Sequence, residues 1–331
     1  MQFLSDNAAS VHPRVWEAMR AADAPDTPYD TDALSRGLDE AFGALFGREV
    51  AVLWTASGTS ANCIGLATMV QPHGAVLCHR EAHIEMDEAG APGFYLHGAK
   101  LVLVDGEGAK LGAQAIETAL NAIRDDVHQV QVHALSLTQS TEYGLCYRPE
   151  ELAVLTGLAR GRGLKVQMDG ARFANAAAFL GCSPAEACGD IDALSFGCVK
   201  NGAMNAEGIV FFDPALADVA RYRRKRAGHL QSKGRFMAAQ LLAMLEGDLW
   251  LENGRAANAA AALIAQGAGE RLMYPVEANE LFVRCTAQER ERLRGRGFGF
   301  YDWGPAAARF VTAWNTRAQD AEALSRALAA L

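Results

Sequence analysis

Short apolar segments alternate with stretches of helical periodicity along the first two thirds of the chain. The strand-like segments are residues 50–54, 75–78, 100–104, 130–137, 164–168, 193–197 and 208–212. Strands that alternate with helices are joined by right-handed crossovers, which cover both faces of the sheet. The pattern therefore predicts an α/β fold with a mostly parallel, seven-stranded sheet.

The sequence pattern changes after about residue 246. An alanine-rich helical segment at 252–266 is followed by strand-like runs at 280–285 and 309–314 and by a last helical stretch. Fewer strands and no further βαβ alternation indicate a separate, smaller unit. We predict an N-terminal arm (1–14), a large domain (15–246) and a small C-terminal α+β domain (247–331).

Charge and cysteine content restrict the partners and the compartment. The 31 basic and 39 acidic residues give a net charge of −8, which disfavours nucleic acid or an anionic membrane as the main partner. No apolar run reaches the roughly 20 residues of a membrane span, and MQFLSDNAAS lacks the basic start and apolar stretch of a signal peptide. Seven scattered cysteines do not resemble a disulfide framework, so we expect a reducing, cytoplasmic compartment.

Residues that directly follow strands are the candidates for chemistry, because ligands bind beyond the carboxyl ends of the strands in such sheets. The Ser57–Ser60 segment stands between a strand and a helix, where it forms either an anion-binding turn or a plain helix cap. Asp169 ends another strand and could hold a protonated ring nitrogen, and Arg172 could grip a carboxylate. An Asp-Gly turn beside a surface arginine is an equally good interpretation of that segment.

Two further post-strand segments carry reactive groups. Lys200 follows an apolar strand and is either a surface lysine or the amine of Schiff-base chemistry. His79 and His83 stand four residues apart among carboxylates, but the order H-x-E-x-H does not match the metalloprotease motif. We expect a loop there, with a histidine either facing a flat cofactor or satisfied by loop hydrogen bonds. Nucleotide-binding glycine motifs and the G-x-S-x-G elbow are absent.

Taken together, these segments match a known family nearly from end to end. The matching stretches are SDN (5–7), LFG (45–47), SGTSAN (57–62), AHIEMDEAGAP (82–92), GAKL (98–101), the segment around His128, MDGARFANA (168–176), LGCSPAE (180–186), SFGCVKNGA (195–203), SKGRF (232–236) and ARFVTAW (308–314). The chain resembles the low-specificity L-threonine aldolases, and TQSTEYGLCYRPEEL is similar to their bacterial branch related to the Pseudomonas enzymes.

The resemblance implies the aspartate-aminotransferase-like fold (fold type I) and the cofactor pyridoxal 5′-phosphate. It implies retro-aldol cleavage of L-threonine, L-allo-threonine and related β-hydroxy-α-amino acids to glycine and an aldehyde, by a lyase acting on a small amino acid. By position, Lys200 matches the lysine that forms the Schiff base and Asp169 the partner of the pyridine nitrogen. The phosphate turn is matched by Ser57, Gly58 and Thr59, and His83 matches the histidine that stacks on the ring.

Other positions carry over in the same way. His128 matches a second active-site histidine. The residues that bind the amino-acid carboxylate are matched by Ser5, Arg172 and Arg309, and Arg172 also borders the cofactor. Lys233, with Arg235 as an alternative, falls where a neighbouring subunit contributes to phosphate binding. The contact to the cofactor hydroxyl is assigned to Thr138 or Gln139, and Tyr29 belongs to a loop that reaches the substrate. No metal is expected.

The resemblance also implies a homo-oligomer, a dimer or a tetramer, with active sites shared between subunits through Lys233 and the 25–32 loop. The chain departs from the family at Asp30, which follows Tyr29, and at Val199, where relatives carry Ser or Thr. The catalytic base is left open between His83, His128 and water. The alternatives are a β-eliminating lyase or an aminotransferase on the same fold, a non-catalytic pyridoxal-binding regulator and, more remotely, a metal hydrolase using His79 and His83.

Overall fold

A seven-stranded sheet lies at the centre of the protein, whose computed structural model describes all 331 residues. Its strands are β1 (Ala51–Thr55), β2 (Gly74–His79), β3 (Lys100–Val104), β4 (Gln131–Thr138), β5 (Lys165–Gly170), β6 (Ala193–Phe196) and β7 (Glu207–Phe211). In the order β1-β7-β6-β5-β4-β2-β3, all neighbours are parallel except β7, which runs against both β1 and β6. The predicted α/β architecture with a mostly parallel sheet is confirmed.

Helices cover both faces of the sheet. They are α1 (Pro13–Ala21), α2 (Ala33–Arg36), α3 (Leu38–Phe46), α4 (Gly58–Ala67), α5 (His83–Met86), α6 (Ala91–Tyr95), α7 (Ala113–Asn121), α8 (Pro149–Gly161), α9 (Phe173–Leu180), α10 (Pro184–Cys188), α11 (Pro214–Arg226), α12 (Arg235–Leu245), α13 (Leu249–Ala268), α14 (Ala287–Gly295) and α15 (Ala318–Ala329). Every residue of β1, β2 and β7 is buried, as expected for strands sandwiched between helical layers. No helix combines the length and the apolar character that crossing a membrane requires.

A second, antiparallel sheet is formed by β8 (Glu280–Arg284), β10 (Ala307–Val311) and β9 (Tyr301–Trp303), in that order. It has its own apolar core, to which the N-terminal residue Phe3 contributes. Phe3 donates its N–H to the carbonyl of Gly299 and accepts the N–H of Val311, so the chain start is tied to this sheet. We propose a domain division near residue 246, where a 3₁₀ turn at Glu246–Asp248 separates α12 from α13.

The expectation of a loop after β2 is wrong at residues 83–86, where the chain forms the single helical turn α5. Ile84 of this turn is buried in the apolar core, and the N–H of Asp87 bonds to the carbonyl of His83. Burial of one apolar side chain stabilises the turn, an effect that local propensity does not reveal. The turn fixes the direction in which His83 leaves the backbone.

Candidate active site

The carboxyl ends of β2, β4 and β5 meet at one edge of the large sheet, beside a cavity of about 240 Å³. Six of the residues selected from the sequence line it: Ser57, Gly58, Thr59, His83, Asp169 and Lys200. Segments that are far apart in the chain therefore converge on one site, as the post-strand rule predicts.

The N-terminus of α4 points its free backbone donors at this cavity. Ser57 caps the helix by accepting the N–H of Ser60 at 3.3 Å. The N–H groups of Gly58 and Thr59 have no acceptor in the protein, and a Cβ atom added at Gly58 would meet nothing within 4 Å. Free N–H groups at a helix start, with the positive end of the helix dipole, form an anion-binding site. The segment is thus both a helix cap and an open anion cradle.

Asp169 is 4% exposed and is fixed through both carboxylate oxygens. Oδ1 accepts the N–H of Ala171 at 2.9 Å, and Oδ2 accepts Nδ2 of Asn62 at 2.8 Å. Asn62 is in turn fully hydrogen-bonded, because its Oδ1 accepts from Ser195 at 2.7 Å and from Gln167 at 3.0 Å. A buried carboxylate held this rigidly suits a partner that carries a proton on nitrogen.

His83 is oriented by a buried carboxylate. Its Nδ1 lies 2.9 Å from Oε1 of Glu88, which also accepts Nδ2 of Asn62 at 3.1 Å. The hydrogen bond with Glu88 raises the pKa of His83. Because Glu88 accepts, Nδ1 carries the proton in the neutral ring, and Nε2 is left as an acceptor without a partner in the protein. Asn62 therefore links the orientation of His83 to that of Asp169.

Lys200 lies in the turn after β6, and its amine has no hydrogen-bond partner within the chain. The backbone on either side is held firmly. Glu207 accepts the N–H of Cys198 at 2.5 Å, and Asn201 donates to the carbonyl of Trp250 at 2.8 Å. Burial raises the pKa of the Glu207 carboxyl to about 7. A free amine on a fixed backbone in a small cavity is suited to covalent chemistry with a carbonyl group.

We expect Glu207 to make the stability of the cofactor-free protein depend on pH. The native state keeps this proton up to a pKa of about 7, whereas the unfolded chain releases it near the ordinary glutamate pKa of 4.5. The free energy of unfolding therefore falls as the pH rises between these values, by on the order of 3 kcal/mol. Glu207→Gln should remove that part of the fall, as measured by urea unfolding at pH 4.5 and at about pH 7. Equal losses in wild type and variant would refute the assignment.

Arg172 and Arg309 come together, but each already holds a carboxylate of the chain itself. Arg172 donates from Nε and Nη2 to Asp6 at 2.7 and 3.0 Å, and its Nη1 lies 3.2 Å from Glu280. Arg309 donates from Nη2 and Nε to Oε1 of Glu280 at 2.5 and 3.2 Å. Burial would raise the pKa of Asp6, but Arg172 outweighs it and lowers this pKa to about 2. These two arginines, which we call the clamp, are expected to bind the substrate carboxylate and are assembled around internal counter-ions.

The structure does not bring His128 to the cavity. It is exposed in the loop that enters β4, where its N–H donates to Asp126. The eight residues of β4 place it roughly 25 Å from the end of the strand at which the site lies. The expectation of a second active-site histidine at this position is corrected on that geometry, because His128 precedes its strand instead of following it.

A different side chain follows β4 on the active-site side. Glu142 is half-buried in the turn after the strand and has no hydrogen-bond partner in the protein. Burial and the nearby charge of Glu280 raise its pKa to about 7, and Lys200 and His83 lie close enough to act on it. Sequence reasoning missed this residue, since a glutamate beside a Tyr-Gly turn resembles an ordinary surface residue.

Ser5 and Gln139 are engaged in structural hydrogen bonds. The hydroxyl of Ser5 caps a 3₁₀ turn by accepting the N–H of Asn7, and it is Asn7 that lines the cavity. Gln139 is buried and donates to the carbonyls of Tyr147 and Ala187, so its amide nitrogen is not available to a ligand. Thr138 stands opposite Asp169 at the end of β4, which favours it over Gln139 as a contact.

Tyr29 and Lys233 lie beside each other and are not among the residues that line the cavity. They form an isolated β-bridge, and Tyr29 donates its N–H to Ser232 at 2.9 Å. The neighbouring departure from the family, Asp30, pairs with Arg224 of α11. Arg235 donates to the carbonyl of Ala22 at 2.9 Å and so supports α1.

His79 does not form a metal site with His83. Both of its ring nitrogens are satisfied, Nε2 with the carbonyl of Gly106 at 3.0 Å and Nδ1 with the N–H of Glu81 at 3.0 Å. The alternative function as a metal hydrolase would need His79 as its second ligand, and neither ring nitrogen of His79 is free to bind a metal. The interpretation as a histidine satisfied by its loop holds for His79, whereas His83 faces the cavity.

Comparison with known proteins agrees with the fold and identifies the family. Residues 2–288 match the family model for the beta-eliminating lyases. The low-specificity L-threonine aldolases of Pseudomonas aeruginosa and of a Pseudomonas species are each 40% identical to this chain, over 98% and 99% of it and 96% of their own lengths.

Solved structures give the same result. The threonine aldolase of Leishmania major superposes with a TM-score of 0.94 at 26% identity, covering 99% of this chain and 98% of that one. An aspartate aminotransferase of Rhodobacter sphaeroides, at 15% identity and a TM-score of 0.73, covers 100% of this chain and 92% of its own, and shares the fold. The aspartate-aminotransferase-like fold is thereby confirmed, and the chain belongs to the beta-eliminating lyase family and, within it, to the low-specificity L-threonine aldolases.

Proposed function

We propose that this protein is a pyridoxal-phosphate-dependent lyase that cleaves L-threonine, L-allo-threonine and related β-hydroxy-α-amino acids to glycine and an aldehyde. Membership of the aldolase family carries the reaction. The location of the site rests on one observation, that three groups converge on a single cavity. They are the free amine of Lys200, the rigid carboxylate of Asp169 and the open helix N-terminus at Gly58.

These residues fit the cofactor group by group. The unpaired N–H groups of Gly58 and Thr59 suit its phosphate, Asp169 its protonated ring nitrogen, and the amine of Lys200 its aldehyde. His83 borders the same space as an aromatic face. When bound, the cofactor supplies an electron sink for the pair of electrons left at Cα when the bond to Cβ breaks.

Arg309, with Arg172, orients the substrate by its carboxylate. A carboxylate held by guanidinium donors fixes the rotation about the amino-acid Cα, and that rotation decides which Cα bond faces the ring. Asp6 accepts hydrogen bonds from both Nε and Nη2 of Arg172, so this arginine has little freedom to move. The clamp therefore selects Cα–Cβ cleavage over loss of the α-proton.

His83 receives the proton of the substrate β-hydroxyl. Its Nε2 is the ring nitrogen left as an acceptor when Nδ1 donates to Glu88. A base with a pKa in the neutral range suits this task. Glu142 and a water molecule are the other candidates, since the Glu142 carboxyl has a pKa of about 7 in the same region.

Glu88→Gln tests this role of His83 through its partner. The glutamine amide can donate to Nδ1 and so stabilise the ring tautomer that carries the proton on Nε2, which cannot accept. We expect kcat for L-allo-threonine to fall about 10²-fold. The acid limb of the pH profile should also move to lower pH, because the hydrogen bond that raises the pKa of His83 is lost.

The matched control is Glu85→Gln, which removes an exposed carboxylate from α5, the helical turn that carries His83. It should change neither kcat nor the acid limb of the pH profile. An unchanged kcat and pH profile in Glu88→Gln would exclude His83 as the base and leave Glu142 or water.

We propose a homo-oligomer, a dimer or a tetramer, whose sites are completed across subunits. The Tyr29–Lys233 surface is exposed and lies outside its own cavity, which suits a contribution to a neighbour's phosphate. We also propose a cytoplasmic location, in keeping with seven free cysteine thiols. Sedimentation that shows a fully active monomer would overturn the shared site.

Product analysis tests the proposed function. The holoenzyme incubated with L-threonine or L-allo-threonine should release acetaldehyde and glycine in equal amounts. A β-eliminating lyase would instead release ammonia and a 2-oxo acid from the same substrates, and an aminotransferase would require an amino acceptor. Either of these product patterns would replace the aldolase assignment.

A further inference from the structure

Glu280 occupies the space between the two arginines of the clamp. Its side chain has no exposed surface. In the pairing of β8 with β10, Glu280 lies opposite Val311, and Arg309 is two residues earlier on β10, so both side chains stand on the same face of the small sheet. The position of Glu280 is therefore set by strand register and not by a flexible loop.

The four charged groups of this cluster cancel. Arg172 and Arg309 contribute two positive charges, and Asp6 and Glu280 two negative ones. Asp6 is committed to Arg172 and to Nδ2 of Asn279 at 3.0 Å. Glu280 is less well satisfied, because its Oε2 is buried without a hydrogen bond, although Nη1 of Arg172 is 3.2 Å away.

A substrate carboxylate that binds Arg309 meets this internal carboxylate. Oε1 of Glu280 already accepts from both Nη2 and Nε of Arg309. Two carboxylates on one guanidinium repel each other, and the repulsion is stronger here than in water because the Glu280 side chain is fully buried. Binding of the substrate therefore requires Glu280 to give up part of its hydrogen bonding with Arg309.

We propose that Glu280 is a built-in competitor of the substrate carboxylate and thereby sets the affinity of the enzyme for amino acids. This inference rests on the proposed function, which places the substrate carboxylate at Arg309. In the free protein Glu280 keeps both arginines in place. In the complex the substrate takes over donors of Arg309 that Glu280 occupied.

Glu280→Gln tests the inference in the holoenzyme. The glutamine keeps a carbonyl acceptor for Arg309 but removes the negative charge, so the cluster gains a net positive charge. We expect the Kd for glycine, measured by calorimetry, and the KM for L-allo-threonine to fall together, by about tenfold. The matched control is Glu289→Gln, which removes a carboxylate from the Arg271 ion pair in the same domain and should leave both unchanged.

A Kd and KM that are unchanged or raised in Glu280→Gln would overturn the inference and show that Glu280 only supports Arg309. Thermal unfolding of each variant checks the fold, and Glu280→Ala provides a second variant if the glutamine variant does not fold. Failure of the proposed function has a different signature, because the wild-type enzyme would then bind glycine but release no acetaldehyde.

Discussion

Lys200→Ala should reduce the cleavage of L-allo-threonine to the level of a buffer blank. Lys200 is the one lysine among the residues that line the cavity, so no other amine is placed to replace it. The substitution removes both the covalent attachment of the cofactor and the amine that is exchanged for that of the substrate. Borohydride reduction followed by peptide mass spectrometry measures the first loss, with the cofactor on the Lys200 peptide in wild type and absent in the variant. Release of acetaldehyde measures the second.

The control for this experiment is Lys100→Ala, which removes an exposed lysine at the edge strand β3 and should keep both the label and the activity. Retention of the cofactor mass and of turnover in Lys200→Ala would show that another residue performs the chemistry.

Asp169→Asn should lower kcat by about 10²- to 10³-fold while the cofactor stays attached to Lys200. The neutral amide can still accept the N–H of Ala171, so the end of β5 keeps its geometry. It cannot supply the negative charge that holds a proton on the ring nitrogen, and the ring then withdraws electrons less strongly. Acetaldehyde release gives kcat, and the visible absorbance of the purified protein reports attachment.

Asp213→Asn is the matched control, because this aspartate caps α11 and pairs with Lys165 away from the cavity. It should cost some stability but no activity. A kcat in Asp169→Asn within a few-fold of wild type would show that Asp169 does not hold the proton on the ring nitrogen.

The sequence alone predicts the framework of the site, and the reason is the sheet. Alternation of strands and helices places the carboxyl ends of parallel strands at one edge, so residues that follow strands converge. Their positions after strands make Lys200 and Asp169 candidates, as the start of a helix does for Ser57 and its neighbours, and the family resemblance then assigns their roles. These are properties of local pattern and chain order, which a single sequence contains.

The charge partners of these residues could not be predicted in the same way. Asn62 bonds to Asp169, which is 107 positions away, and Glu280 lies between two arginines that belong to different domains. Nothing in the local sequence distinguishes such polar residues from surface ones, because their role depends on non-local packing. The misplacement of His128 has a related cause, since its position relative to β4 decides the end of the sheet at which it lies.

A crystal structure of the protein grown with pyridoxal 5′-phosphate tests the central claim most directly. We expect continuous density from Nζ of Lys200 to the cofactor, its ring nitrogen about 3 Å from the carboxylate of Asp169, and its phosphate on the N–H groups of Gly58 and Thr59. Cofactor bound elsewhere, or with its phosphate away from the start of α4, would contradict the account.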